Sequence, residues 1–109
     1  SRFSLDEVVE KSQEMLVAGA TFIDIGGYST RPNAIDISIN EELDRVLPVI
    51  EAIIKANAET IISIDTFRNE VARQAIKNGA SLVNDISGGN LDSEMFDTIA
   101  ELRVPYILM

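Results

Sequence analysis

A chain of 109 residues, 46% of them apolar and 25% charged, carries enough hydrophobic material for the core of one ordinary soluble domain. Its formal charge of −9, with no basic run and no aromatic–basic interleaving, argues against a nucleic-acid-binding surface. Without cysteine or histidine there is no disulfide framework, no thiolate metal site and no imidazole acid–base group, and no apolar run approaches the roughly 20 residues of a membrane span. The default expectation is a cytoplasmic protein, with neither nucleic acid nor membrane as partner.

The chain opens on a polar helix pattern, not a signal peptide. Ser4-x-x-Glu7 is a capping-box signature; Leu5, Val8, Val9 and Leu16 then share one face, and Gly19 is a natural stop. Ala20–Ile23 predicts a buried strand. It is followed by Asp24-Ile-Gly-Gly-Tyr-Ser-Thr-Arg-Pro32, which packs two glycines, two aliphatic hydroxyls, a guanidinium and a proline into nine residues. Glycines permit close backbone approach, and Arg31 offers a planar fork suited to phosphate or carboxylate, so the segment reads as an anion-handling loop. Ser38-x-x-Glu41 repeats the capping box ahead of an apolar stripe of Leu43, Val46, Leu47, Ile50, Ile53 and Ile54, with Pro48 inside it and a bend expected there.

A second strand, Thr60–Ile64, leads to Asp65-Thr66, and a short helix carries Val71, Ala72, Ala75 and Ile76 inward before Gly79. Ser81–Val83 predicts a third strand, leading to Asn84-Asp85 and Gly88-Gly89. Asp92 is expected to cap a fourth helix bearing Met95, Phe96, Ile99 and Leu102, and Pro105–Met109 reads as a fourth strand. Alternation with tight connections implies parallel strands and right-handed crossovers. The order αβαβαβαβ suits either half of a (β/α)₈ barrel or a small open sheet. We favour the half barrel, because no strand carries a nucleotide-type glycine fingerprint.

Three strands run into side-chain polar groups: Asp24, Asp65-Thr66 and Asn84-Asp85. In parallel architectures the loops that follow strands converge on one rim, which is where ligands are held. A carboxylate there can accept two hydrogen bonds from the amidine-like edge of a heterocycle, and Asn84 adds one donor and one acceptor. Each residue also has a plainer role: Asp65 or Thr66 as a cap for the third helix, Asp85 as an organiser of the Gly88-Gly89 turn, Arg31 as a solvated charge, Met109 as core. Together they point to a polar heterocycle with an anionic tail.

Read as strings in order, DIGGYSTRP (24–32), EELDRVLPVI (41–50), ISIDTFRNEVARQAIKNGA (62–80), LVNDISGG (82–89) and PYILM (105–109) resemble the dihydropteroate synthases, (β/α)₈ TIM barrels of the pterin-binding group. The resemblance implies joining 6-hydroxymethyl-7,8-dihydropterin diphosphate to p-aminobenzoate, with release of diphosphate and formation of 7,8-dihydropteroate for folate synthesis. By residue matching, Asp65 and Asn84 hold the pterin, with Ile86 and Met109 along its faces. Thr30 contacts the diphosphate substrate, Ser29, Thr30, Arg31 and Pro32 help form the p-aminobenzoate pocket that sulfonamides imitate, and Asp24 organises the site beneath that loop. None of these residues is expected to act as an acid or base. Tyr28, where Glu is usual, and Asn33, where Gly is common, depart from the pattern. The matching leaves out the family's first strand with its Asn ligand to Mg²⁺, the later Asp and Lys strand ends, and most of the homodimer interface. Residues 1–109 are thus expected to be one piece of a barrel domain, lacking the first strand and the C-terminal half and inactive alone. A pterin-binding methyltransferase domain and a noncatalytic half barrel are the alternatives.

Overall fold

The computed structural model describes residues 4–19, 21–27, 37–87 and 92–108. Among them helices and strands alternate: α1 (Leu5–Val17), β1 (Ile23–Gly26), α2 (Ile39–Ala56), β2 (Ile62–Thr66), α3 (Asn69–Lys77), β3 (Leu82–Asp85), α4 (Met95–Leu102) and β4 (Tyr106–Leu108). The strands form one parallel sheet in the order β1-β2-β3-β4. These elements form the partial, four-unit arc expected of a (β/α)₈ barrel.

Side-chain alternation decides which face does what. Ile62, Ile64 and Thr66 of β2 share a face with Ile23 and Ile25 of β1 and with Val83 and Asp85 of β3, their register partners and the alternate positions around them. Against that face pack Val46, Ile50 and Ile53 of α2, Val71, Ala72 and Ala75 of α3 and Met95 of α4, with Val8 and Val9 of α1 at the margin. All four helices therefore cover the same side. An open doubly wound sheet would place helices on both sides, so the open-sheet alternative is excluded for these elements. The opposite side carries Asp24, Gly26, Ser63, Asp65, Leu82, Asn84 and Ile107, and none of the four described helices packs its core residues over it.

Local signals in the sequence explain the helix ends. Ser38 and Glu41 make the reciprocal capping box, each side chain accepting from the other residue's backbone N–H at 3.1 and 3.3 Å. Ser4 Oγ accepts from Glu7 N at 3.2 Å. α2 runs unbroken through Pro48, on its exposed side. α3 ends in a Schellman arrangement: Gly79 N donates to Ile76 O and Ala80 N to Ala75 O, with Gly79 at φ +123°.

Two expectations shift. The strands extend past their apolar residues, so Asp24, Asp65, Asn84 and Asp85 lie inside the ladders and not after them. Backbone pairing is indifferent to the side chain it carries, whereas the apolar pattern stops at the first carboxylate. The cap of α4 is Glu94, whose N–H donates to Asp92 Oδ1 at 3.0 Å, and Asp92 starts the turn before it.

Candidate functional site

On the helix-free side the register sets Gly26, Asp65 and Asn84 in one row across three strands, with Asp24, Ser63 and Leu82 in the row beneath. Asn84 Nδ2 donates to Asp65 Oδ1 at 3.1 Å, so the two predicted ligands are brought together. Asn84 Oδ1 is buried and finds no donor among the described residues. Burial, then the negative charge of Asp24, push the Asp65 carboxyl above its ordinary range, and the bond from Asn84 opposes them. The row thus presents a desolvated carboxylate beside an unsatisfied amide oxygen. Neighbouring strands stand about 4.8 Å apart, so a planar ligand edge with two donors can reach both.

Gly26 keeps this row open. A Cβ there would stand 3.2 Å from the Asp65 Cβ and 3.3 Å from its carbonyl oxygen. The adjacent Gly27 lies tight on α2, where a Cβ would meet Glu42 O and Val46 at 3.1 Å. The two glycines of the predicted loop thus have separate tasks, one admitting Asp65 of the neighbouring strand and one admitting a helix.

Asp24 is exposed and acts on Asp65 through its charge. Ile86 follows β3, half-buried, its N–H directed at Thr66 O. Ser29, Thr30, Arg31, Pro32 and Met109 lie outside the described residues, as do Tyr28, Asn33 and Gly88-Gly89. Asp85 faces the helices, not the side that carries Asp65 and Asn84. It is fully buried, accepting from Ser87 N at 2.8 Å and from the Tyr106 hydroxyl at 2.6 Å, while the Gly88-Gly89 turn it was expected to organise lies outside the described residues.

Sequence reasoning missed Glu42. Its carboxylate is fully buried, accepting from Thr66 Oγ1 at 2.7 Å and pairing with Arg68 at 3.1 Å. A signal was available: Glu42 stands four residues before Val46 on the stripe that continues to Ile50 and Ile53, where a charge must be paired. Ser63, on the same side of the sheet as Asp65, was also passed over, and its buried Oγ has no partner among the described residues.

Among the described residues no group of three or more His, Cys, Asp or Glu is arranged to hold a metal ion. No described helix is long and apolar enough to cross a membrane.

A parallel barrel arc with helices outside and an acid–amide pair on its inner wall defines a small-molecule-binding barrel protein. The sequence profile of the family described as pterin binding enzyme matches residues 1–109. The chain belongs to that family. It is 54% identical over 106 residues to the folic acid synthesis protein fol1 of Pneumocystis carinii, covering 97% of this chain and 14% of that protein. The crystal structure of 7,8-dihydropteroate synthase from Vibrio fischeri ES114 superposes with a TM-score of 0.88 at 46% identity, over 98% of this chain and 39% of that one. The Xanthomonas albilineans dihydropteroate synthase with 4-aminobenzoic acid gives a TM-score of 0.84 at 39% identity, over 94% of this chain and 37% of that one. The chain therefore spans well under half the length of these relatives.

Proposed function

We propose that residues 1–109 supply the pterin-binding wall of a dihydropteroate synthase, a transferase of folate synthesis that joins a pterin diphosphate to p-aminobenzoate. The observation that carries this reading is the Asp65–Asn84 pair on the helix-free face, with Asn84 Oδ1 buried and lacking a donor. A pterin offers a ring N–H beside an exocyclic amine, which is the doubly donating edge these two acceptors require. Binding would satisfy the orphan amide oxygen and offset the desolvation that the Asp65 carboxylate already bears. The likeness to solved synthases at 39% and 46% identity, one of them holding 4-aminobenzoic acid, supports the same assignment.

In this reading the protein's part is to bind and orient. The Asp65–Asn84 row fixes the ring, and the 29–32 segment with Thr30 and Arg31 serves the diphosphate and the arylamine. Diphosphate departs as the C–O bond breaks, and a neutral arylamine forms the C–N bond to the cationic pterin methylene. The acidic ammonium so formed gives its proton to water or diphosphate, so no strong general base is required. Mg²⁺ would neutralise charge on the departing diphosphate, from a ligand outside this chain. Sulfonamides, which imitate the arylamine, would compete at the same segment, and a homodimer in the cytoplasm is the expected state of the longer protein.

The test is a calorimetric titration of the 109-residue chain with 6-hydroxymethylpterin. Saturable binding that Asp65→Asn weakens at least tenfold is expected, and equal affinity in the two proteins would sink the assignment. Because the chain spans only 39% of the Vibrio fischeri enzyme, the same sample is expected to form no dihydropteroate in a coupled assay.

A further inference from the structure

Beneath the ligand row, on the helix side, lies a charged cluster that ligand binding does not use. Glu42 sits in the first turns of α2 with no exposure to solvent. Its Oε2 accepts from Thr66 Oγ1 at 2.7 Å and its Oε1 from Arg68 Nη1 at 3.1 Å. Arg68 Nη2 donates to Ile37 O at 2.7 Å, and Arg68 N donates to Thr66 Oγ1 at 3.2 Å. About one turn further along α2, Arg45 Nη1 donates to Gly27 O at 3.0 Å. The start of α2 is thereby tied to the ends of both β1 and β2.

Packing alone does not account for this arrangement. An ion pair with a buried carboxylate often contributes no more stability than well-packed apolar residues of the same volume, so its value lies in geometry. The geometry here is specific. Thr66 is the residue after Asp65, and strand side chains alternate, so holding the Thr66 hydroxyl from two directions fixes the roll of the strand end. With Thr66 pinned toward the helices, Asp65 must face the open side, within 3.1 Å of Asn84.

We propose that Glu42 and Thr66 are positioning residues for Asp65: the buried carboxylate grips the Thr66 hydroxyl and so aims the neighbouring carboxylate at the ligand. The inference rests on the reading of Asp65 as a ligand-binding group, yet its geometric part is testable without any ligand. Neither residue touches the proposed ligand, and the effect runs entirely through the end of β2.

The experiment uses the isotope-labelled 109-residue chain and three variants, Thr66→Val, Thr66→Ser and Glu42→Gln. The Asn84 side-chain amide resonances report the bond to Asp65 directly, and Asp65→Ala supplies the unbonded reference. Thr66→Val is expected to move those resonances toward the reference and to weaken 6-hydroxymethylpterin binding about tenfold, whereas Thr66→Ser restores both. Glu42→Gln, which keeps the volume and removes the charge, is expected to act in the same direction. It decides the matter if Thr66→Val does not fold. General destabilisation would lower the melting temperature without singling out the Asn84 amide. Unchanged Asn84 resonances in a folded Thr66→Val or Glu42→Gln protein would overturn the proposal, as would failure of Thr66→Ser to restore them. If the unaltered chain binds no pterin, the functional reading falls, while the amide resonances still judge the positioning claim.

Discussion

Asn84 spends one amide N–H on Asp65 and leaves its oxygen buried with no donor among the described residues. An unsatisfied buried acceptor costs roughly 1–3 kcal/mol, a penalty that a bound ligand with a matching donor removes. Asn84→Leu should therefore raise the melting temperature or leave it unchanged while weakening 6-hydroxymethylpterin binding at least tenfold. Thermal melts and titration of the same sample check both halves. Tyr106 shows the opposite economy, since its hydroxyl is fully used on buried Asp85. Burial, then the bond and the charge of Asp85, hold the phenol well above its usual range. A raised folded-state value means this contribution is complete below about pH 10, the ordinary tyrosine range, and is lost as pH rises beyond it. Alkaline unfolding should begin there, and Tyr106→Phe should be less stable at neutral pH yet lose less on the alkaline side, as urea titrations at pH 7 and pH 11 would reveal.

At the scale of the elements, the helix ends carry the sharpest expectations. Gly79 stands at φ +123°, and a Cβ there would meet Ile54 Cγ1 at 2.8 Å. Gly79→Ala should destabilise by more than about 1 kcal/mol, through strain and the clash together, measured as a lower urea midpoint with unchanged slope. Arg103, the C-cap of α4, adopts φ 57° without being glycine. Arg103→Gly should stabilise by up to about 1 kcal/mol, and a fall in the urea midpoint would contradict it. These ends also bear on what a reader of the sequence could see. Capping boxes, apolar stripes and glycine stops are local, so α1, α2 and α3 were legible at once. Strand ends were not, because pairing carried Asp24, Asp65 and Asn84 into the ladder beyond the point where hydrophobicity stops. The Asp65–Asn84 pairing was legible as chemistry, but its contact depends on the register of β2 against β3, which no single segment encodes. Glu42 stayed hidden because its partners, Thr66 and Arg68, lie 24 and 26 residues away.

Across the whole molecule, each unit leans on the next. Asp92, ahead of α4, accepts from Asn69 N at 2.9 Å and from Asn69 Nδ2 at 2.7 Å, so the start of α3 is capped from the following loop. Burial alone would raise the Asp92 carboxyl, but the bonds from Asn69 and Glu94 outweigh it and hold the group below its usual value. A lowered folded-state value contributes stability above the unfolded value near pH 3.8, lost as pH falls through the folded one. Asp65 acts with the opposite sign, its raised value eroding stability as pH climbs from the same starting point. Asp92→Asn should therefore flatten the acid limb and Asp65→Asn the decline above it, both visible in melts between pH 2 and pH 6. The Asp92 clasp also tells an engineer where not to cut. Severing the backbone between β3 and α4 would strip α3 of its only described side-chain cap, so complementation pairs split there should reassemble poorly, and pairs divided near Ala58, between α2 and β2, should fare better.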